Sequence, residues 1–401
     1  MNQSTNKPSS SALSEQKGGQ PKGWRVFGQN RALFVPVANR AVQSYALNFF
    51  LSSNWQRIAI WLATRLGLGR KVSEGAGKEW REIADTLTLA EDISGDEKTK
   101  GVINEQIFYA MRQGSKGPYQ KTSLIAVKQS GCPVFYAKVA TGESADVMVE
   151  AESACLQRLS LIDSLKGMVP QRINFGKTPS GRAFFTTTLA STLKTNNRFQ
   201  SQHEKFLSTL GHATVQSVLY ANSVEFLFVQ SALERLRQVL GAVLHAELES
   251  AAHDILSKIG DLKLPIVLAH RDFAPWNIRW HQSGVFVFDW EYAAEGANPL
   301  YDFFHFHLIQ QALSSRSNAS ISTYGLTLVS PAIKYLKQYY PEVNWSLEIA
   351  RYLLLAYLVD LILFYVDSEK QYNANHPVLA AYINLIKQLK LSLVSKCEIE
   401  S

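Results

Sequence analysis

The chain has 401 residues, 46% of them hydrophobic and 19% charged, with a formal net charge of +7. That is long enough for two lobes or two to three domains with a full core. The charge is mild for the length and no basic cluster is interleaved with aromatics, so a nucleic-acid partner is not expected. Cys132, Cys155 and Cys397 are too few and too scattered for a disulfide frame or a zinc site, and suggest a reducing, cytoplasmic setting.

Residues 1–30 are set aside as a disordered tail, Ser/Gln/Lys/Gly-rich at its start and without the apolar run of a signal peptide. Residues 31–100 form an N-terminal extension, partly helical. Within this N-terminal region, residues 24–36 read as strand-like or irregular. Residues 45–66 carry apolar positions at helical spacing until Gly67 and Gly69 stop them, and 78–89 predict another short helix. From 101 to 188 the pattern turns to strands, at 105–112, 123–129, 134–140, 171–175 and 183–188. A helix is predicted over 146–159, with Val147, Ala151, Ala154, Cys155 and Leu159 on one side. From 189 to 401 the reading is mostly helical, at 202–217, 224–253 and 346–367, and a hairpin over 266–290 is the strand-rich island. The longest apolar run, 353–366, is broken by Asp360 and is too short to span a bilayer, so it reads as a buried helix. The expected fold is α+β: a small antiparallel-sheet lobe and a mainly helical lobe, joined near 186–189.

The most informative stretch is His270 to Asp302. It opens HRDFAPWNIRW, turns at Gln282-Ser283-Gly284, and returns as VFVFDWEYAAEGANPLYD. A hairpin of that length brings Asp289 back beside Asn277. Phosphoryl transfer is mostly positioning and charge neutralisation, for which Mg²⁺ prefers hard oxygen ligands. Asn277 and Asp289 suit the metal. Asp272, five residues before Asn277 on a loop stiffened by Pro275, suits a base that takes the acceptor's proton. His270, Arg271, Asp272 and Asn277 match H-R-D-x-x-x-x-N letter for letter.

This segment, with FDWEYA and NPLYDFFHF, resembles the aminoglycoside phosphotransferase and choline kinase superfamily, which has a protein-kinase-like fold. The likeness is to its HGDFxPWN branch of small-molecule kinases, often met beside bacterial cell-surface polysaccharide enzymes. It runs over roughly 123–307. Arg271 departs from the glycine most of that family carries, and Asp289-Trp290-Glu291 stands where protein kinases have Asp-Phe-Gly. The resemblance implies ATP and Mg²⁺ as cofactors and a small-molecule hydroxyl as substrate. An idle ATP-binding scaffold of the same fold is the alternative.

Further candidates follow. Lys138, inside an apolar strand, is the expected phosphate-binding lysine, with Lys128 its competitor. Its expected partner is Glu152, whose E-x-x-x-L-x-x-L spacing fits the family better than that of Glu150. Thr186 and Thr188, at the linker, are candidates for nucleotide contact. The loop 113–118, with Gly114 and Gly117, could cover phosphates or be a plain turn. His270 and Asp302 are expected to be structural, and His305 and His307 to pack or to line the substrate site. Trp276, Trp290 and Tyr292, with Glu291 and Glu295, could hold a cationic amine or stack on a sugar.

Overall fold

The computed structural model describes residues 24–28, 31–51, 53–71, 106–314 and 318–397. The tail over 1–23 and the helix expected over 78–89 lie outside them. The chain divides into two compact units, Met1–Asp146 with Ile173–Leu189, and Val147–Arg172 with Ala190–Ser401.

The first unit is built on a sheet. Its strands are β1 (Trp24–Phe27), β2 (Leu33–Pro36), β3 (Arg70–Lys71), β4 (Ile107–Gln113), β5 (Lys121–Lys128), β6 (Pro133–Ala140), β7 (Arg172–Lys177) and β8 (Ala183–Thr187), in the order β3-β1-β2-β4-β5-β6-β8-β7. The pairings from β3 through β8 are antiparallel. The tail bound at residue 30 is therefore too long. Trp24 and Val26 are buried, and the Trp24 indole donates to the Tyr109 carbonyl at 2.7 Å. Nor is 31–36 a separate extension, because β2 pairs with β4 and carries the sheet onward.

Where one helix is expected over 45–66 there are two, α1 (Arg40–Phe50) and α2 (Asn54–Arg65). The apolar spacing continues across the break and hides it. Ser53 is extended and its hydroxyl caps the Gln56 N–H, while Arg57 donates to the Leu51 carbonyl at 2.7 Å. Gly67, at φ +71°, ends α2: the Gly67 and Leu68 N–H groups donate to the Thr64 and Ala63 carbonyls, a paired closure that needs a left-handed residue. The inner face of α1, with Val42, Ala46, Leu47 and Phe50, shares a core with Ile125 and Val127 of β5.

The helix α3 (Glu143–Ser160) exists as expected, but of the side predicted to be buried only Cys155 and Leu159 are. Val147 is 66% exposed and Ala151 and Ala154 are exposed, whereas Val149, Glu152, Ser153, Leu156 and Leu159 are buried. Glutamate counts as polar in any pattern match, and the true stripe contains one.

The second unit holds α4 (Ser201–Thr214), β9 (Gln216–Leu219), α5 (Val224–Ile259), β10 (Lys263–Ala269), β11 (Ile278–His281), β12 (Gly284–Val287) and β13 (Ala294–Ala297). The helices α6 (Tyr301–Ser314), α7 (Asn318–Thr327), α8 (Val329–Tyr339), α9 (Leu347–Glu369) and α10 (Pro377–Cys397) follow. The expected helix 202–217 stops at Thr214, because 216–219 pairs with β10 instead. The one over 224–253 runs on to Ile259 but breaks at Gly241, at φ 73° and ψ 161°. Among the described residues α9 is the one helix long and apolar enough to cross a membrane, but 78% of its apolar window is buried within the protein, as expected of a core helix.

Candidate active site

The loop after β10 is fixed at its start by one carboxylate. Asp302, in the first turn of α6, accepts from the backbone N–H groups of His270 at 2.7 Å and Arg271 at 2.9 Å. Burial pushes the Asp302 carboxyl up, opposed by His270 and by these bonds. The His270 ring accepts from the Asp272 N–H at Nδ1 (3.2 Å) and donates from Nε2 to the Phe288 carbonyl (3.0 Å). It thus ties the loop to the end of the returning strand. Both residues have the structural roles expected of them.

Arg271 stands at φ +65°, the left-handed region that suits glycine. The guanidinium is buried, paired with Asp360 of α9, 3.3 Å from the Tyr301 hydroxyl and 4.4 Å from the Phe364 ring centre. The Tyr301 hydroxyl also donates to Asp360 at 2.7 Å. Burial pushes the Asp360 carboxyl up against the pull of Arg271, while Asp360, against the opposing effect of burial, raises the Arg271 guanidinium.

Asp272 and Asn277 come together as the spacing predicts. Pro275–Asn277 form a single 3₁₀ turn, and the Asn277 amide donates to the Asp272 carboxylate at 2.7 Å and its carbonyl at 3.0 Å. The other carboxylate oxygen, Oδ1, accepts from His305 Nε2 at 3.3 Å, and the Tyr357 hydroxyl lies 3.3 Å from Nδ1. His305 is 1% exposed, so its contact with Asp272 is an interior one. The sequence reading gave it only a packing or lining part. Its spacing from Asp272 carries no signal, since α6 delivers it.

The hairpin β11–β12 pairs Ile278 with Val287, and the Phe288 N–H donates to the Asn277 carbonyl at 3.1 Å. Asp289 follows at φ +70°. An aspartate in that conformation is strained, which directs attention to what it does there. Ligand atoms of Asp289, Glu291 and Glu152 lie within 4.8 Å of one another. Glu152 also accepts from the Trp290 N–H at 3.2 Å. Glu152 is 2% exposed and Glu150 only half-buried, which favours Glu152 as the inward acid of α3. Glu291 is a member of the set that sequence reasoning assigned elsewhere.

In the first unit, Lys138 is central on β6, opposite Ser123 of β5 and Phe185 of β8, and 5% exposed. Lys128 is at the end of β5 and half-buried. Thr186 lies opposite Ala137, so it faces the other side of the sheet from Lys138, and its buried hydroxyl has no partner among the described residues. Thr188 lies just past β8. The loop 113–118 is a tight hairpin end, with the Gly114 N–H on the Lys121 carbonyl.

The aromatic candidates separate. Trp276 is 44% exposed, whereas Trp290 is buried and its indole donates to the Val287 carbonyl, so it is a framework residue. Tyr292 packs edge-on to Phe364, and burial and then Glu291 push its hydroxyl far up. Glu295 is paired with Arg158. His307, 2.9 Å from the Tyr324 hydroxyl, is pushed down to about 4 by burial and His203.

A carboxylate held by an amide and an imidazole, with a second acidic set of hard oxygens in the same unit, is chemistry suited to phosphoryl transfer. Residues 151–328 match the model of the Phosphotransferase enzyme family, in line with the resemblance of the loop after β10. Several solved structures are similar at low identity. The choline kinase from Cryptosporidium parvum Iowa II has 13% identity and TM-score 0.49, covering 78% of this chain and 97% of its own. The choline kinase LicA from Streptococcus pneumoniae has 14% and 0.46, covering 77% and 99%. A thermostable mutant of the aminoglycoside phosphotransferase APH(4)-Ia, in its apo form, has 14% and 0.46, covering 70% and 94%. No curated protein matches the chain.

Proposed function

We propose that the protein transfers the γ-phosphoryl group of ATP, with Mg²⁺, to a hydroxyl of a small molecule such as a sugar, an amino alcohol or an aminoglycoside-like compound. The observation that carries this is Asp272, held at both oxygens by Asn277 and His305 yet with its side chain 25% exposed. The donor chemistry fits the metal. The Asn277 nitrogen is engaged by Asp272, which leaves Oδ1 as its ligand atom, and Asp289, Glu291 and Glu152 bring carboxylates together. Bound Mg²⁺ would neutralise phosphate charge during transfer.

Asp272 orients the acceptor hydroxyl and takes its proton as the new O–P bond forms and the bond to the departing ADP breaks. Lys138, buried in its strand, supplies the cation for the nucleotide phosphates. The exposed indole of Trp276 is an aromatic face suited to a polyol or amine. ATP as donor fits a cytoplasmic location. Titrating ATP with and without Mg²⁺ into the wild type and Asp289→Asn tests the reading. The wild type should bind productively and turn over only with Mg²⁺, and Asp289→Asn should lose metal-dependent turnover while unfolding at the same temperature. Equal affinity and turnover with and without the ion would overturn it.

A further inference from the structure

We infer that α2 and the turn after it form a docking surface for an anionic lipid bilayer. This is independent of the phosphotransferase reading. The inner side of α2, with Ile60, Trp61 and Thr64, is half-buried or buried, and Ile60 and Trp61 join the core that α1 shares with the sheet. The outer side should then be polar. It is instead a stripe of Trp55, Ile58, Leu62 and Leu66 at helical spacing, continued by Leu68 beyond the helix. Trp55 is 82% and Leu66 73% exposed. Isolated exposed apolar residues need no explanation, but a contiguous stripe marks an interaction site.

Charge says what kind. From Trp24 to Lys71 the sequence holds seven Lys and Arg and no Asp or Glu. Arg65, Arg70 and Lys71 are exposed at the leucine end of the stripe. A tryptophan and branched apolar residues on one side, with cations beside them, is the composition of a helix that lies in the headgroup region of an anionic membrane. A second copy fits worse, because a symmetric contact would set these cations against themselves. A groove on a protein partner would take the same apolar stripe but gives no part to the exposed Arg65, Arg70 and Lys71 beside it.

The test is co-sedimentation of the full chain with phosphatidylglycerol-containing vesicles and with pure phosphatidylcholine vesicles, alongside its mass in solution. The wild type should bind the anionic vesicles, and binding should weaken as salt rises from about 0.1 to about 0.5 M. The Ile58→Glu/Leu62→Glu and Arg65→Gln/Arg70→Gln/Lys71→Gln variants should each lose at least about tenfold in vesicle affinity. Both should keep the wild-type circular dichroism and unfolding temperature, and Trp55→Ser serves as a milder third variant. No binding to anionic vesicles by the wild type overturns the inference, as does binding that survives the stripe substitutions. A dimer that Ile58→Glu/Leu62→Glu converts to a monomer would assign the surface to a second copy instead.

Discussion

Replacing Arg271 by glycine tests how the loop before Asp272 is held. At φ +65° a side chain costs roughly 1–2 kcal/mol, which glycine would recover. The same change removes a buried guanidinium from Asp360, Tyr301 and Phe364. Breaking a buried ion pair from one side typically costs about 3–5 kcal/mol. Asp360 softens that loss. Burial already pushes its carboxyl up, so losing Arg271 favours the protonated form over a bare buried charge. The two effects leave Arg271→Gly less stable by about 1–4 kcal/mol, a fall in unfolding temperature of roughly 2–16 °C for a unit of this size. Urea unfolding followed by circular dichroism measures it. Arg271→Gly/Asp360→Asn should regain most of the loss, because asparagine can still bond Tyr301 without a charge. A glycine variant as stable as the wild type, or more so, would refute the idea that Arg271 anchors the loop.

Lys138→Ala should weaken nucleotide binding and cut turnover by a large factor, while Lys128→Ala, at a strand end, should do much less; the reverse order in steady-state kinetics would mean the wrong lysine has been chosen. Burial, aided by the charge of Asp360 and opposed by the bonds from Asn298, pushes the Glu225 carboxyl up to about 8 from an ordinary 4.5. Between those values the folded state keeps a proton that the unfolded chain has lost, so stability falls as pH rises through that window. Glu225→Gln should flatten that part of the pH dependence, and unfolding temperatures of both proteins with equal pH slopes would contradict it.

The catalytic loop was legible because its signal is local. A tight turn brings the Asn277 amide to the Asp272 carboxylate, and the short hairpin returns the Phe288 N–H to the Asn277 carbonyl, one residue before Asp289. Glu152, singled out by its spacing to Leu156 and Leu159, is buried, whereas Val147, Ala151 and Ala154, read as part of the same buried side, are exposed. What was not legible arrives from distant elements. His305 reaches Asp272 only because α6 packs beside the loop, and Asp360 reaches Arg271 from α9. The conformation of Arg271 was equally hidden, since an arginine gives no hint of a positive φ. The sheet edge was legible only in part, since 24–36 read as strand-like or irregular and was not joined to the sheet. Trp24–Phe27 and Leu33–Pro36 are four-residue strands, too short to stand out from the polar segment before them.

The most direct measurement of the central claim is radiolabelled phosphoryl transfer from ATP to a panel of sugars, amino alcohols and aminoglycosides, by the wild type and Asp272→Asn, with nucleotide affinity measured alongside. The account predicts an acceptor that the wild type phosphorylates, and a fall of at least about a hundredfold in Asp272→Asn with nucleotide affinity essentially unchanged. Normal transfer by Asp272→Asn to a proven acceptor would contradict the assignment of the base. Tight ATP binding with no acceptor phosphorylated by the wild type would contradict the enzyme itself and favour an idle ATP-binding scaffold of the same fold.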